Sequence, residues 1–178
     1  MKKARLIQAL AAAAMAGGAL AAHADGLYVG GALGGPHYSG DPVSNIGGSG
    51  GGTAGKIFGG YQFNPNFGLE GGWFDLGHTE DANGRAKLQG AYFDAVGKIA
   101  IAPQWSLTGS AGVAEGRFRT NNGGGDDNSP ALKLGVGVEY ALSQTTSLNL
   151  GYDHYHFIDA FDAKPNVGMP FVGVKVGF

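Results

Sequence analysis

The 178-residue sequence has no cysteine, which excludes a disulfide framework. After the first two dozen residues, no apolar run approaches the roughly 20 residues of a transmembrane helix. No strong charge of one sign is present either. The formal net charge is -2, which argues against a nucleic-acid binder. What the chain has in excess is glycine, 35 residues, nearly three times the usual share of roughly 7%. That much glycine weakens helices and leaves disorder or an all-β protein. The aromatic content of 11% argues against disorder.

The N-terminus reads MKKARLIQALAAAAMAGGALAAHA. Lys2, Lys3 and Arg5 give a basic start, and an apolar stretch follows from Leu6 to about Ala22. Ala22-His23-Ala24 fits the small-x-small pattern of a cleavage site, so residues 1–24 read as a secretory signal peptide cut after Ala24. A membrane anchor is disfavoured, because the stretch is rich in Ala and Gly and no basic stop-transfer cluster follows. Residues 25–178 are left as one domain.

From Leu27 onward the apolar pattern has period 2. Eight segments carry it: 27–35, 53–63, 67–77, 87–102, 105–118, 131–142, 147–157 and 168–178. Connections near 64–66, 103–104 and 143–146 are short. Those near 36–52, 78–86, 119–130 and 158–167 are longer, polar and glycine-rich. Strict alternation of short and long connections describes an eight-stranded, antiparallel, up-and-down meander. In outer-membrane barrels the short turns face the periplasm and the long loops face outward.

The two strand faces differ in kind. In 131–142, Leu132, Leu134, Val136, Val138, Tyr140 and Leu142 share one parity, and Lys133, Gly135, Gly137 and Glu139 share the other. The small and charged row is too crowded with glycine and ions to be an exposed surface, so the bulky row is expected to face lipid. That orientation sends Lys56, Lys98, Lys133 and Lys175 into the lumen together with Glu70, Asp94, Glu139 and Asp153. An eight-stranded interior is only wide enough for side chains. The expectation is therefore a lumen plugged by ion pairs, with partners on neighbouring strands. Tyr61, Phe63, Phe67, Trp105, Tyr140 and Phe178 mark a girdle at the short-turn end, and Trp73, Tyr155 and Phe157 one at the outer rim.

The chain closes on FVGVKVGF. With GYQFNPNFGLEGGWFDLG and LGVGVEYALSQTTSLNLGYDHY, this ending resembles the small eight-stranded outer-membrane barrels: the OmpA-like transmembrane domain, OmpX and the opacity-type surface proteins. The resemblance implies a monomeric barrel in the bacterial outer membrane, with no cofactor expected; the peptidoglycan-binding domain of full OmpA proteins is expected to be absent, because the sequence ends with the last barrel strand. It implies that Val172, Val174, Val176 and Phe178 form the strand read by periplasmic chaperones and the barrel-assembly machinery. Outer-membrane lipid and lipopolysaccharide would surround it, and an extracellular or host ligand would meet its loops. The leading function is structural, with loops for membrane integrity and interaction or adhesion. A narrow channel for small solutes is the alternative, and a lipid A-modifying barrel enzyme is third.

Other motifs carry less. GGGTAGKI (50–57) imitates a phosphate-binding loop but has Ile57 where magnesium needs a hydroxyl. His154 and His156 share a strand face and suit a metal, with Asp159 or Asp162 as a further ligand; rim residues at the water boundary are the simpler reading. Lipid A deacylases place a Ser beside the His, whereas Tyr155 and Phe157 stand there in this chain. GGGDDNS (123–129) lacks the acidic spacing of a calcium loop. Arg117 and Arg119 share an outward parity, where lipopolysaccharide phosphates or Glu115 would meet them.

Overall fold

Three asparagine, proline and serine turns set the register at one end of the molecule. In the first, Asn64 Oδ1 accepts the backbone N–H of Asn66 at 2.8 Å and of Phe67 at 2.9 Å. This is the side-chain mimic of a turn that asparagine supplies. In the second, Pro103 and Gln104 alone separate the paired residues Ala102 and Trp105. In the third, Ser143 Oγ accepts from the N–H of Thr145 at 3.2 Å and of Thr146 at 3.0 Å.

The computed structural model describes residues 26–39, 53–81, 84–120, 127–158 and 166–178. Nine strands form among them: β1 (Leu27–Gly34), β2 (His37–Ser39), β3 (Ala54–Asn64), β4 (Phe67–Asp81), β5 (Gly84–Ala102), β6 (Trp105–Thr120), β7 (Asp127–Ala141), β8 (Thr146–Phe157) and β9 (Asn166–Gly177). Every neighbouring pair is antiparallel, and β1 pairs with both β3 and β9, which closes the sheet. The short β2 also lies on β9 and continues the line of β1 past Gly35 and Pro36. Pro36 has no N–H to give to the ladder, so one stave is split in two and the barrel is eight-stranded. Closure satisfies the backbone without water, as a lipid environment requires.

Side chains divide as the alternation implies. Along β7, Leu132, Leu134 and Val136 are exposed while Ala131, Lys133 and Gly135 are buried. The apolar residues of the outer face are far more exposed than a water-soluble protein tolerates in one belt: Val136 is 67% exposed and Leu150 65%. The segment expected to be a signal peptide, with Ala22 and Ala24, lies outside the described residues, as do Asp159 and Asp162.

The strands run further toward the loop end than the period-2 segments suggest. The 78–86 connection, expected to be long, is mostly strand: Asp81 pairs with Gly84, so only 82–83 separate β4 from β5. The cause is a bulge. Asp75 pairs with Gln89 and His78 with Lys87, which puts an extra residue on β4. Gly77 sits there at φ +77°, and its N–H donates to Asp75 Oδ1 at 2.9 Å. An inserted residue flips the parity of every later position on its strand, and the alternation no longer reads as continuous. Likewise β6 reaches Thr120 and β7 begins at Asp127, with Pro130 inside the strand opposite Glu115.

Candidate functional site

The feature with most chemistry is the lumen, and every one of its eight anticipated ionic residues points into it. Glu139 on β7 receives two lysines: Lys98 of β5 on Oε1 at 2.6 Å and Lys175 of β9 on Oε2. Nearer mid-barrel, Lys56 of β3 donates to Asp153 Oδ2 of β8 at 2.6 Å. Lys133 of β7 bonds to Asp94 of β5 and lies 3.4 Å from Asp153 Oδ1. The side chains of Lys133 and Asp94 are 1% and 0% exposed. Ions withdrawn from water that far persist only when paired and hydrogen-bonded.

The pairing differs from the expectation in two ways. Most partners are not on neighbouring strands: Lys98–Glu139, Lys133–Asp94 and Lys175–Glu139 each skip a strand, and Lys56–Asp153 skips β1 and β9. Long lysine side chains in a narrow cylinder reach over a neighbour and meet carboxylates across it. Nor does each cation take one anion. Glu70 has no lysine partner among the described residues; it accepts the hydroxyls of Tyr92 at 2.7 Å and Tyr28 at 3.1 Å.

Aromatic rings line the same space. Lys56 Nζ stands 3.7 Å from the centroid of Phe171, Lys133 Nζ 4.5 Å from Tyr92, and Lys175 Nζ 5.0 Å from Tyr28. A desolvated ammonium over a ring face gains attraction from the ring quadrupole. Tyr28 and Tyr92 were legible by parity, since Tyr92 shares the face of Asp94. Tyr155 and Phe157 correct an expectation. They do not belong to an outer girdle; both are fully buried inside, on the face that Asp153 already occupies. Trp73 does face outward, 51% exposed.

Above the ions, the interior becomes apolar. Phe74, Leu76, Leu88, Phe157, Val167 and Met169 pack into one cluster. Ion pairs thus fill only the half of the lumen nearer the short turns. Glycine makes the packing possible. A Cβ on Gly116 would stand 2.5 Å from Phe157 Cε1 and 3.0 Å from Leu88 Cδ1.

The outer-rim candidates sit apart from this network. His154 and His156 share the outward parity of β8, and His156 Nδ1 lies 2.7 Å from Asn166 Oδ1. No cluster of metal-ligating side chains occurs among the described residues. Arg117 and Glu115 are exposed at the loop end of β6. At the other end, Phe178 N–H donates to Leu27 O at 2.9 Å, and Val172 and Val174 are exposed to the outside.

Residues 7–178 match the model of the outer membrane protein beta-barrel domain. The chain belongs to the outer-membrane β-barrel family. Among solved structures, this family member is similar to Neisserial surface protein A at 24% identity and TM-score 0.69, over 88% of this chain and 99% of that one. The N-terminal barrel of Pseudomonas aeruginosa OprF matches at 15% identity and TM-score 0.61, covering 88% and 100%. Ail, the attachment invasion locus protein of Yersinia pestis, matches at 17% identity and TM-score 0.55, covering 85% and 99%. These likenesses establish the fold. No curated protein is a significant match. An outer-membrane barrel of this family is thus a protein of the bacterial outer membrane, crossing it with strands and surrounded by its lipids.

Proposed function

We propose that this outer-membrane barrel is a structural protein of the cell surface that supports membrane integrity and presents its long connections for interaction or adhesion. The observation that carries the reading is the obstructed lumen. Paired ions occupy one half and apolar side chains the other, which leaves the loops as the part free to specify a function. The fold it shares with the attachment invasion locus protein agrees with this. Lipopolysaccharide is its lateral partner and the barrel acts without a cofactor or catalytic step. Val172, Val174, Val176 and Phe178 serve as the assembly signal.

A narrow channel has one observation in its favour, a polar cavity inside the short-turn half. The apolar cluster above it opposes that reading. Replacing residues 40–52, 121–126 and 159–165 by short glycine-serine links is expected to abolish surface or host-cell binding while heat-modifiable gel migration persists. Unchanged binding by the loop-deleted barrel would reject the adhesion reading.

A further inference from the structure

The interior changes character along the barrel axis. At the short-turn mouth a cavity of about 230 Å³ is bordered by Lys98, Glu139, Lys175 and Ser147. An inner cavity of about 80 Å³ shares Tyr28, Gln62, Lys98, Glu139 and Lys175 with it and extends inward to Ser110 and Lys133. A water needs roughly 10–15 Å³ of such space and two to four polar partners, so the inner cavity has room for several. Asp94 Oδ1, Asn149 Nδ2 and, at the boundary with the apolar layer, Tyr155 Oη are buried without a hydrogen-bond partner among the described residues. Asn149 lines the inner cavity, where a water would satisfy its amide. Buried polar groups without a partner are rare, and ordered water is their usual answer.

The other half presents water with an apolar layer, bordered by the buried Tyr155 hydroxyl on its inner side and holding buried Ser129. Phe74, Leu76, Phe157 and Met169 are each 0% exposed, and their side chains carry no strong donor or acceptor. Phe74 packs on Tyr155 with ring centroids 4.9 Å apart. A hydrated ion entering this layer would give up its hydrogen bonds without replacement, which is how apolar constrictions exclude water and ions.

We propose that the barrel is a one-ended water chamber. Water and small ions enter from the periplasmic mouth and reach the Lys133–Asp94 pair. The layer of Phe74, Leu76, Phe157 and Met169 then seals the path to the exterior. The protein carries solvent into the membrane without letting it through, and the seal, not the ion pairs, is the permeability barrier. This holds whether or not the loops bind a partner.

The lack of native cysteine makes the test direct. Single variants Ser110→Cys, beside Lys133 in the inner cavity, and Ser147→Cys, at the mouth, are placed in oriented proteoliposomes. Silver ion, small enough to follow water, is added to one side, and unreacted thiol is counted afterwards by alkylation in denaturant. Both cysteines are expected to react from the periplasmic side at least about tenfold faster than from the exterior side, because the apolar layer excludes the hydrated ion. In a Leu76→Ala/Met169→Ala background, Ser110→Cys is expected to react from both sides, and single-channel steps to appear in planar bilayers. Equal reaction from both sides without the alanines would overturn the seal. A Ser110→Cys thiol unreactive from the periplasm would overturn the chamber. A folded, heat-modifiable alanine variant that stays closed would also overturn it; should that variant not fold, the one-sidedness of the single-cysteine proteins decides.

Discussion

Lys133 passes over β6 to bond Asp94 on β5 and stands 3.4 Å from Asp153 on β8. One ammonium therefore joins three strands, and its loss leaves Asp94 without a cation and Asp153 with Lys56 alone. Lys133→Met is expected to cost about 3–5 kcal/mol, the penalty for uncompensated buried charge. Adding Asp94→Leu is expected to restore most of that loss, since Asp153 keeps Lys56. Urea unfolding of the barrel in lipid vesicles measures both. A double variant no more stable than Lys133→Met would show that the charge network is not what holds this level together.

Glu70 makes a different prediction, because its partners are hydroxyls. Tyr92 donates at 2.7 Å and Tyr28 at 3.1 Å. Tyr92→Phe removes the shorter bond to a charged acceptor and is expected to cost about 1.5–3 kcal/mol. Tyr28→Phe is expected to cost less. The same unfolding experiment ranks them, and the reverse order would contradict the geometry.

How far the sequence carries this molecule depends on the kind of information. Strand parity is local, and it sorts Leu134 from Lys133 and Val174 from Lys175 without a structure. It also contains the inward placement of Tyr155 and Phe157, since both share the parity of Asp153, although aromatics near a strand end ordinarily mark a membrane rim. Partner choice is not local. Which carboxylate a lysine meets depends on barrel stagger and on reach across two or three strands, so Lys56–Asp153 has no trace in the spacing. The β4 bulge at Gly77 erased the period at the point where the strand continues. Pro130 hid the start of β7 in the same way, because proline ordinarily marks the end of a ladder.

Glycines on the two faces should behave oppositely. A Cβ on Gly116 would press on Phe157 and Leu88, while one on Gly97 would meet nothing nearer than Gly109 O at 3.8 Å. Gly116→Ala is expected to lose about 1–3 kcal/mol through overpacking. Gly97→Ala, on the lipid face, is expected to be close to neutral. Paired unfolding curves of the two variants test this, and equal losses would mean that the apolar layer around Phe157 is loosely packed.

The orientation of the whole barrel rests on residues such as Leu150, which is 65% exposed within the apolar belt of β8. In lipid, Leu150→Arg puts a cation against hydrocarbon and is expected to cost about 2–4 kcal/mol if the site lies near the bilayer midplane. In a water-soluble barrel the same change would be neutral or favourable. The measurement is refolding yield and urea midpoint in phospholipid vesicles, compared with Gln144→Arg in the exposed short turn, which is expected to change little. The contrast isolates depth, because both substitutions add the same charge to an exposed position. A tolerated arginine at 150 would place the outer face in water and undo the assignment of inside and outside on which the lumen chemistry depends.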